Sequence, residues 1–108
     1  MITLDEFQRL DLRIGEITAA MPIPGSAKLL ALSVEVGEEQ RTLVAGVAGS
    51  YRPEDLVGLQ VVVVANLEPA RIRGVESQGM LLGVGCEDVN SISLLTPHRR
   101  AANGARVG

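Results

Sequence analysis

Apolar side chains at Leu30, Leu32, Val34 and Val36 alternate with Ala31, Ser33 and Glu35. A period of two places the two sets on opposite faces of a strand. Gly37-Glu38-Glu39-Gln40 then turns the chain into a further strand, Arg41 to Val47, and the pair reads as a hairpin. Upstream, Leu12, Ile14 and Ile17 alternate with Arg13 and Glu16, and Gly15 stands where a strand can kink or bulge. Two prolines and a glycine make Met21-Pro22-Ile23-Pro24-Gly25-Ser26 a loop. Val61-Val62-Val63-Val64-Ala65 predicts a fourth strand, Met80 to Val84 a fifth, and Asn66 to Gly79 an exposed loop between them. Short strand-like segments near Ile92 to Leu95 and Arg106 to Val107 follow.

Helical spacing is confined to two places. Thr3-Leu4-Asp5-Glu6 fits a capping box, and Leu4, Phe7 and Leu10 follow at helical spacing. A short helix is predicted over about 4–10, with its apolar stripe laid on the sheet. Arg52-Pro53-Glu54-Asp55-Leu56-Val57-Gly58 predicts a second helix of one or two turns, with Pro53 in its first turn and Gly58 to close it. Five short strands, a small helix between the third and fourth, and no β-α-β alternation predict an all-β fold. The expected architecture is a five-stranded OB-fold barrel, with an SH3-like barrel as its rival. Barrel strands should alternate, and Val61 to Val64 does not. Its outer face must be covered by the N-terminal helix, the C-terminal tail or a second copy of the chain. The last of these points to a homodimer.

Composition narrows the picture. The chain has 108 residues, 46% of them hydrophobic, which suits one domain with a real core. Phe7 and Tyr51 are the only aromatic residues, so the core is aliphatic, with Phe7 expected inside it. Stacking on rings is therefore excluded as the main binding mode. One cysteine, Cys86, excludes an internal disulfide framework and a thiolate zinc site. The apolar run from Leu59 to Leu67 is too short to cross a bilayer, and no basic leader precedes a hydrophobic stretch. The expectation is a soluble, cytoplasmic domain without membrane contact. The net charge is -3, but all thirteen acids precede residue 89, and Arg99, Arg100 and Arg106 follow it.

Enzymatic constellations are missing. His98 reads as a solvated turn residue, and Cys86 sits beside Glu87-Asp88 without the cation a reactive thiolate needs, so it reads as packed or inert. The glycines of Gly46-Val47-Ala48-Gly49-Ser50 and Gly83-Val84-Gly85 match neither a phosphate loop nor a dinucleotide fingerprint. No catalysis, cofactor or metal is expected. The segment from Asn66 to Met80 differs: it carries Arg71, Arg73, two side-chain amides, Ser77 and two glycines. Those donors suit phosphate and ribose, and equally suit a loop that satisfies its own turns. Both readings stay open on chemistry alone.

The stretch VVVVANLEPARIRGVESQGMLL, Val61 to Leu82, resembles the signature of the OB-fold tRNA-binding domain family. That family includes C-terminal domains of methionyl-tRNA synthetases, stand-alone dimeric tRNA-binding proteins and a branch resembling secretion chaperones. Asp11 to Ile17 resembles its opening strand, Lys28-Leu29-Leu30 and Val34 to Gly37 its second, and Tyr51 to Gly58 its small helix. Ser93 to Pro97 and Gly104 to Val107 are similar to the C-terminal extension of the stand-alone dimers. The resemblance implies one domain over 1–108, with a barrel at about 12–84 and an extension at 85–108 that serves dimerisation. It implies structure-specific, non-catalytic tRNA binding by a homodimer, in trans or as a detached synthetase appendage, with a synthetase as a further partner. Lys28, Asn66, Arg71, Arg73, Ser77 and Met80 would form the RNA face, with Arg13, Arg41 and Arg52 as weaker candidates. The cations would engage phosphates, while Asn66 and Ser77 would bond RNA or hold the loop. Met80 would touch RNA or, as the expected role, anchor the loop in the core. The chain departs from the family where Ile23 to Lys28 lacks a histidine and an acid, and where Glu68 and Ala70 replace a further cation. Weaker, more salt-sensitive binding follows. The rival functions are a chaperone for unfolded polypeptide, suggested by the net negative charge and apolar fourth strand, and an assembly module without a ligand.

Overall fold

Leu12 to Pro22 forms an 11-residue strand, long enough to serve two partners at once. In the computed structural model, which describes residues 1–88 and 90–108, the elements run in order: α1 (Leu4–Gln8), β1 (Leu12–Pro22), β2 (Leu30–Val36), β3 (Glu39–Ala45), α2 (Pro53–Leu56), β4 (Gln60–Val64), β5 (Ala70–Ile72), β6 (Val75–Ser77), β7 (Met80–Leu81), β8 (Gly83–Val84), β9 (Ser93–Leu94) and β10 (Arg106–Val107). The first half of β1 pairs with β4, from Leu12↔Val64 to Glu16↔Gln60. Its second half pairs with β2, from Glu16↔Glu35 to Pro22↔Leu30. An antiparallel sheet in the order β3-β2-β1-β4-β7 results, curled into the half-barrel of an OB-fold. The all-β class and both helix positions are as the pattern predicts.

The bend in β1 lies elsewhere than expected. Register with β2 shifts between Ile17 and Ala19, and the Thr18 hydroxyl donates to the Ser33 carbonyl at 3.2 Å. Gly15 is instead a point of close approach. A Cβ there would lie 2.6 Å from Val34 Cγ1 and 3.0 Å from Val63 Cγ2. Real atoms do not pack so tightly, so the interior is filled at this point by neighbouring valines.

Ile17, Leu30, Leu32, Val34, Leu43, Leu56, Val61 and Val63 are fully buried inside the barrel. Each such aliphatic side chain contributes about 1.5–3 kcal/mol relative to exposure. Leu56 comes from α2, which is fastened to the middle of β1: the Gly58 N–H donates to Ile17 O at 2.7 Å, and Ile17 N–H to Leu59 O at 3.0 Å.

All five residues of β4 are buried, and the tail supplies the cover for the outer face. Val62 and Val64 lie with Leu12 and Ile14 under Leu82, Ala101 and Val107. The buried Gln60 amide donates to Ala101 O at 2.6 Å and accepts from Ala101 N–H at 3.0 Å, reproducing a short piece of strand pairing. It also donates to Asn103 Oδ1 at 2.8 Å. Glu16 receives Asn103 at 3.2 Å and forms an ion pair with Arg100. Of the two covers that the chain itself can supply, the C-terminal tail is the one that lies on β4.

Helix α1 therefore has a different surrounding from the one expected. Its capping box forms as read, with Glu6 N–H donating to Thr3 Oγ1. It ends at Gln8, however, and buries no residue. Leu4 remains 68% exposed, Leu10 43% and Phe7 37%. The stripe lies beside β10, the short strand that adds to the edge of β1, and lines a shallow recess with Arg106, Val107 and Gly108. Phe7 is thus outside the core, because the tail already occupies the outer face of β4.

Two outcomes follow. Gly15→Ala forces a methyl against Val34 and should lower stability by about 1–3 kcal/mol, read as a lower urea midpoint with unchanged slope. The Glu16 carboxyl is held below its ordinary range, chiefly by the Arg100 hydrogen bond and then by Asn103. A depressed folded value means that this contribution is present above the unfolded value and fades as pH falls through the folded one. Urea midpoints measured across the acid range should show Glu16→Gln less stable at neutral pH, with its deficit shrinking as the wild-type carboxyl protonates.

Candidate nucleic-acid interface

The segment between β4 and β7, expected as an exposed loop, is a small hairpin. β5 and β6 pair in the register Ala70↔Ser77, Arg71↔Glu76 and Ile72↔Val75. Arg73 and Gly74 make the turn, both in the left-handed region with φ of 52° and 80°. Two such residues match the twist of a tight hairpin, and Asn or Gly normally supplies the first. Arginine in this conformation costs about 1–2 kcal/mol.

The base of the hairpin is fixed by the groups that close the barrel. Gln78 N–H donates to Thr42 O at 2.8 Å, and Thr42 N–H donates to Gln78 Oε1 at 3.0 Å. Ser77 is buried; its hydroxyl accepts from Val44 N–H at 2.9 Å and donates to Gly79 O at 3.1 Å. At the other end, Asn66 Oδ1 accepts from Asp11 N–H at 2.9 Å, while its Nδ2 donates to Arg9 O at 2.7 Å. Both residues hold the segment to the barrel, one of the two roles considered for them.

The arginines divide sharply. Arg13 pairs with Asp11 at 2.6 Å and donates to Gly104 O. Arg41 pairs with Glu39 at 2.9 Å and donates to Ala65 O and Gln78 O. Arg52 pairs with Asp55 at 3.0 Å and Glu54 at 3.7 Å. By contrast Lys28, Arg71 and Arg73 are exposed, and among the described residues none of them forms an ion pair. Arg71 only reaches over the turn to donate to Gly74 O at 3.1 Å.

Lys28 comes to the same end of the barrel by another route. Ser26 Oγ accepts from the Lys28 and Leu29 N–H groups at 3.3 and 3.1 Å, and Lys28 O accepts from Ala48 N–H at 3.0 Å. The end of β3 therefore lies between the Lys28 loop and the base of the hairpin, joined to one through Ala48 and to the other through Val44. A recess of about 340 Å³ opens there, lined by Val44, Gly46, Val47, Met80 and Cys86 among others. Met80 is 48% exposed, contrary to the core role expected for it. Pairing with Val64 at the sheet's edge leaves its side chain at the mouth of this recess. Cys86 is likewise exposed, not packed. The recess was invisible in the sequence because residues 44–47, 80–86 and 92–94 meet only in the fold. The turn had a signal, an Arg-Gly pair flanked by Ile72 and Val75.

OB-fold barrels bind oligonucleotides and oligosaccharides with their sheet face and connecting loops, and here two such loops carry cations that form no ion pair among the described residues. The chain belongs to the tRNA binding domain family, whose profile matches residues 12–106. It is 49% identical to the methionine–tRNA ligase of Thermotoga maritima over 106 residues, 98% of this chain but 16% of that enzyme. The chain thus spans about a sixth of the curated relatives it matches. Among solved structures, a methionyl-tRNA synthetase related protein from Pyrococcus horikoshii superposes with a TM-score of 0.92 at 37% identity, covering 100% of this chain and 98% of the other. The chaperone CsaA from Bacillus anthracis superposes with a TM-score of 0.89 at 34% identity, covering 100% and 99%.

The strain at the hairpin tip can be measured. Arg73→Gly should raise stability by about 1 kcal/mol by relieving the left-handed arginine, and Arg73→Val should lower it by a similar amount. Urea unfolding of both variants beside the wild type reads the difference.

Proposed function

We propose that the chain is a non-catalytic tRNA-binding homodimer, acting in trans or as a detached appendage of an aminoacyl-tRNA synthetase in the cytoplasm. The observation that carries the tRNA reading is the hairpin tip, where Arg71 and Arg73 stand exposed without carboxylate partners. Guanidinium forks left free in this way suit phosphate oxygens. Lys28 extends the cationic face across the end of β3, and Met80 offers it an apolar contact. Asn66 and Ser77 serve binding through position, by holding the hairpin against the barrel. With two aromatic rings in the chain, recognition rests on phosphate and 2′-hydroxyl contour more than on stacking.

The dimer reading draws on α1. Leu4, Phe7 and Leu10 lie open beside Val107, an apolar surface that a second copy would cover. Two hairpins in one particle would raise avidity through effective concentration. Among the described residues no group of three or more His, Cys, Asp and Glu is placed to hold a metal ion. No helix among them is long and apolar enough to cross a membrane.

A second reading, a chaperone for unfolded polypeptide, draws on the apolar recess beside Met80 and on the likeness to the Bacillus anthracis chaperone. Salt separates the two. Phosphate-driven binding weakens on a log–log plot with a slope of about -0.7 to -0.9 per contact, whereas apolar capture of peptide persists. Arg71→Glu combined with Arg73→Glu should lower tRNA affinity by about tenfold or more and flatten that slope by about 1.5, with the urea midpoint retained. Unchanged affinity in a gel shift would remove these arginines from binding.

A further inference from the structure

The recess at the end of β3 has a chemistry that phosphate contacts do not use. Its walls are aliphatic, from Val44, Val47, Leu81 and Leu94, and its mouth carries the exposed thioether of Met80. Gly46 lines it without a side chain, and a Cβ there would have room, meeting nothing closer than Leu29 Cδ2 at 3.9 Å. The opposite wall is tight, since a Cβ on Gly83 would come within 3.3 Å of Ser93 O and 3.4 Å of Ile92 Cγ2. Cation-bearing segments attach beside two of its lining residues. Val44 is bonded to Ser77 at the foot of the arginine hairpin, and Ala48, next to Val47, is bonded to the carbonyl of Lys28.

We propose that this recess receives one unpaired nucleobase of the bound RNA, with its flanking phosphates held by Lys28 on one rim and by Arg71 and Arg73 on the other. The proposal rests on the tRNA-binding reading and adds to it a subsite for a base. An apolar slot flanked by cation-bearing segments complements a nucleotide, whose base is apolar on its faces and whose phosphates are anionic. A duplex cannot use it, because its bases are stacked and paired. The walls offer few polar groups, so the slot distinguishes unpaired from paired bases and is indifferent to which base enters. In a chain this poor in rings, Met80 and the aliphatic walls replace the stacking platform of other single-strand sites.

Cys86, exposed and the only cysteine in the chain, lines the recess and reports on its occupancy. The test is the rate at which a maleimide labels Cys86 in the intact protein at low salt. Saturating tRNA, or a single-stranded octauridylate, should slow labelling by about tenfold, whereas a blunt RNA duplex should slow it less than about twofold. Gly46→Val, which adds a side chain where there is room for one, should weaken tRNA binding by about five- to tenfold without changing the salt slope. If tRNA binds with its expected salt slope but neither protects Cys86 nor responds to Gly46→Val, the recess proposal fails and the tRNA reading stands. Equal protection by duplex and single strand also overturns it, since simple shielding then explains the result. If no RNA binds and an unfolded peptide protects Cys86, both readings fall and the slot belongs to polypeptide.

Discussion

A sheet curled into a narrow half-barrel leaves a line of backbone groups along β3 that its regular neighbours do not reach. Unpaired groups of this kind are costly when buried and adhesive when exposed. Here the last residue of β6 and the one after it satisfy them, partly through the Gln78 backbone and partly with the side chains of Ser77 and Gln78. Closing the barrel and aiming the hairpin are thus one act. Arg71 and Arg73 project from a hairpin whose base is bonded to β3, so their placement is set by the fold itself. Such preorganisation spares the entropy of ordering a loop on binding.

The electrostatic consequence runs against the net charge. An acidic chain binds a polyanion where its acids are mostly engaged, although Glu76 stands opposite Arg71 in the hairpin and opposes binding there. Asp11, Glu16, Glu39, Glu54 and Asp55 are occupied by Arg13, Arg100, Arg41 and Arg52. Charges beyond a screening length of about 8–10 Å contribute little at physiological salt, so the local balance near the hairpin tip decides binding.

How much was readable in advance depended on the range of the interactions. The alternation of β2 and the capping box at Thr3 are local, and both stand as read. Val61 to Val64 announced two covered faces, but which element covers the outer one is a long-range question, decided by Gln60 and Ala101, 41 residues apart. The three-residue strands of the hairpin are too short for alternation to show, so a hairpin looked like a loop. Under the family resemblance Met80 is expected in the core, and Cys86 reads as packed or inert beside its acids, yet both are exposed, because the recess they border is assembled from three separated segments. The resemblance to the tRNA binding domain family named the cations to watch. Only geometry separates those that are free from those already spent on carboxylates.

The latch between Gln60 and Ala101 is built from neutral amides. Ionic strength scarcely touches such a bond, while it erodes any grip on a polyanion. A copy of this domain fixed to a resin would therefore release its cargo in a brine wash with its shell still fastened, ready to be charged again.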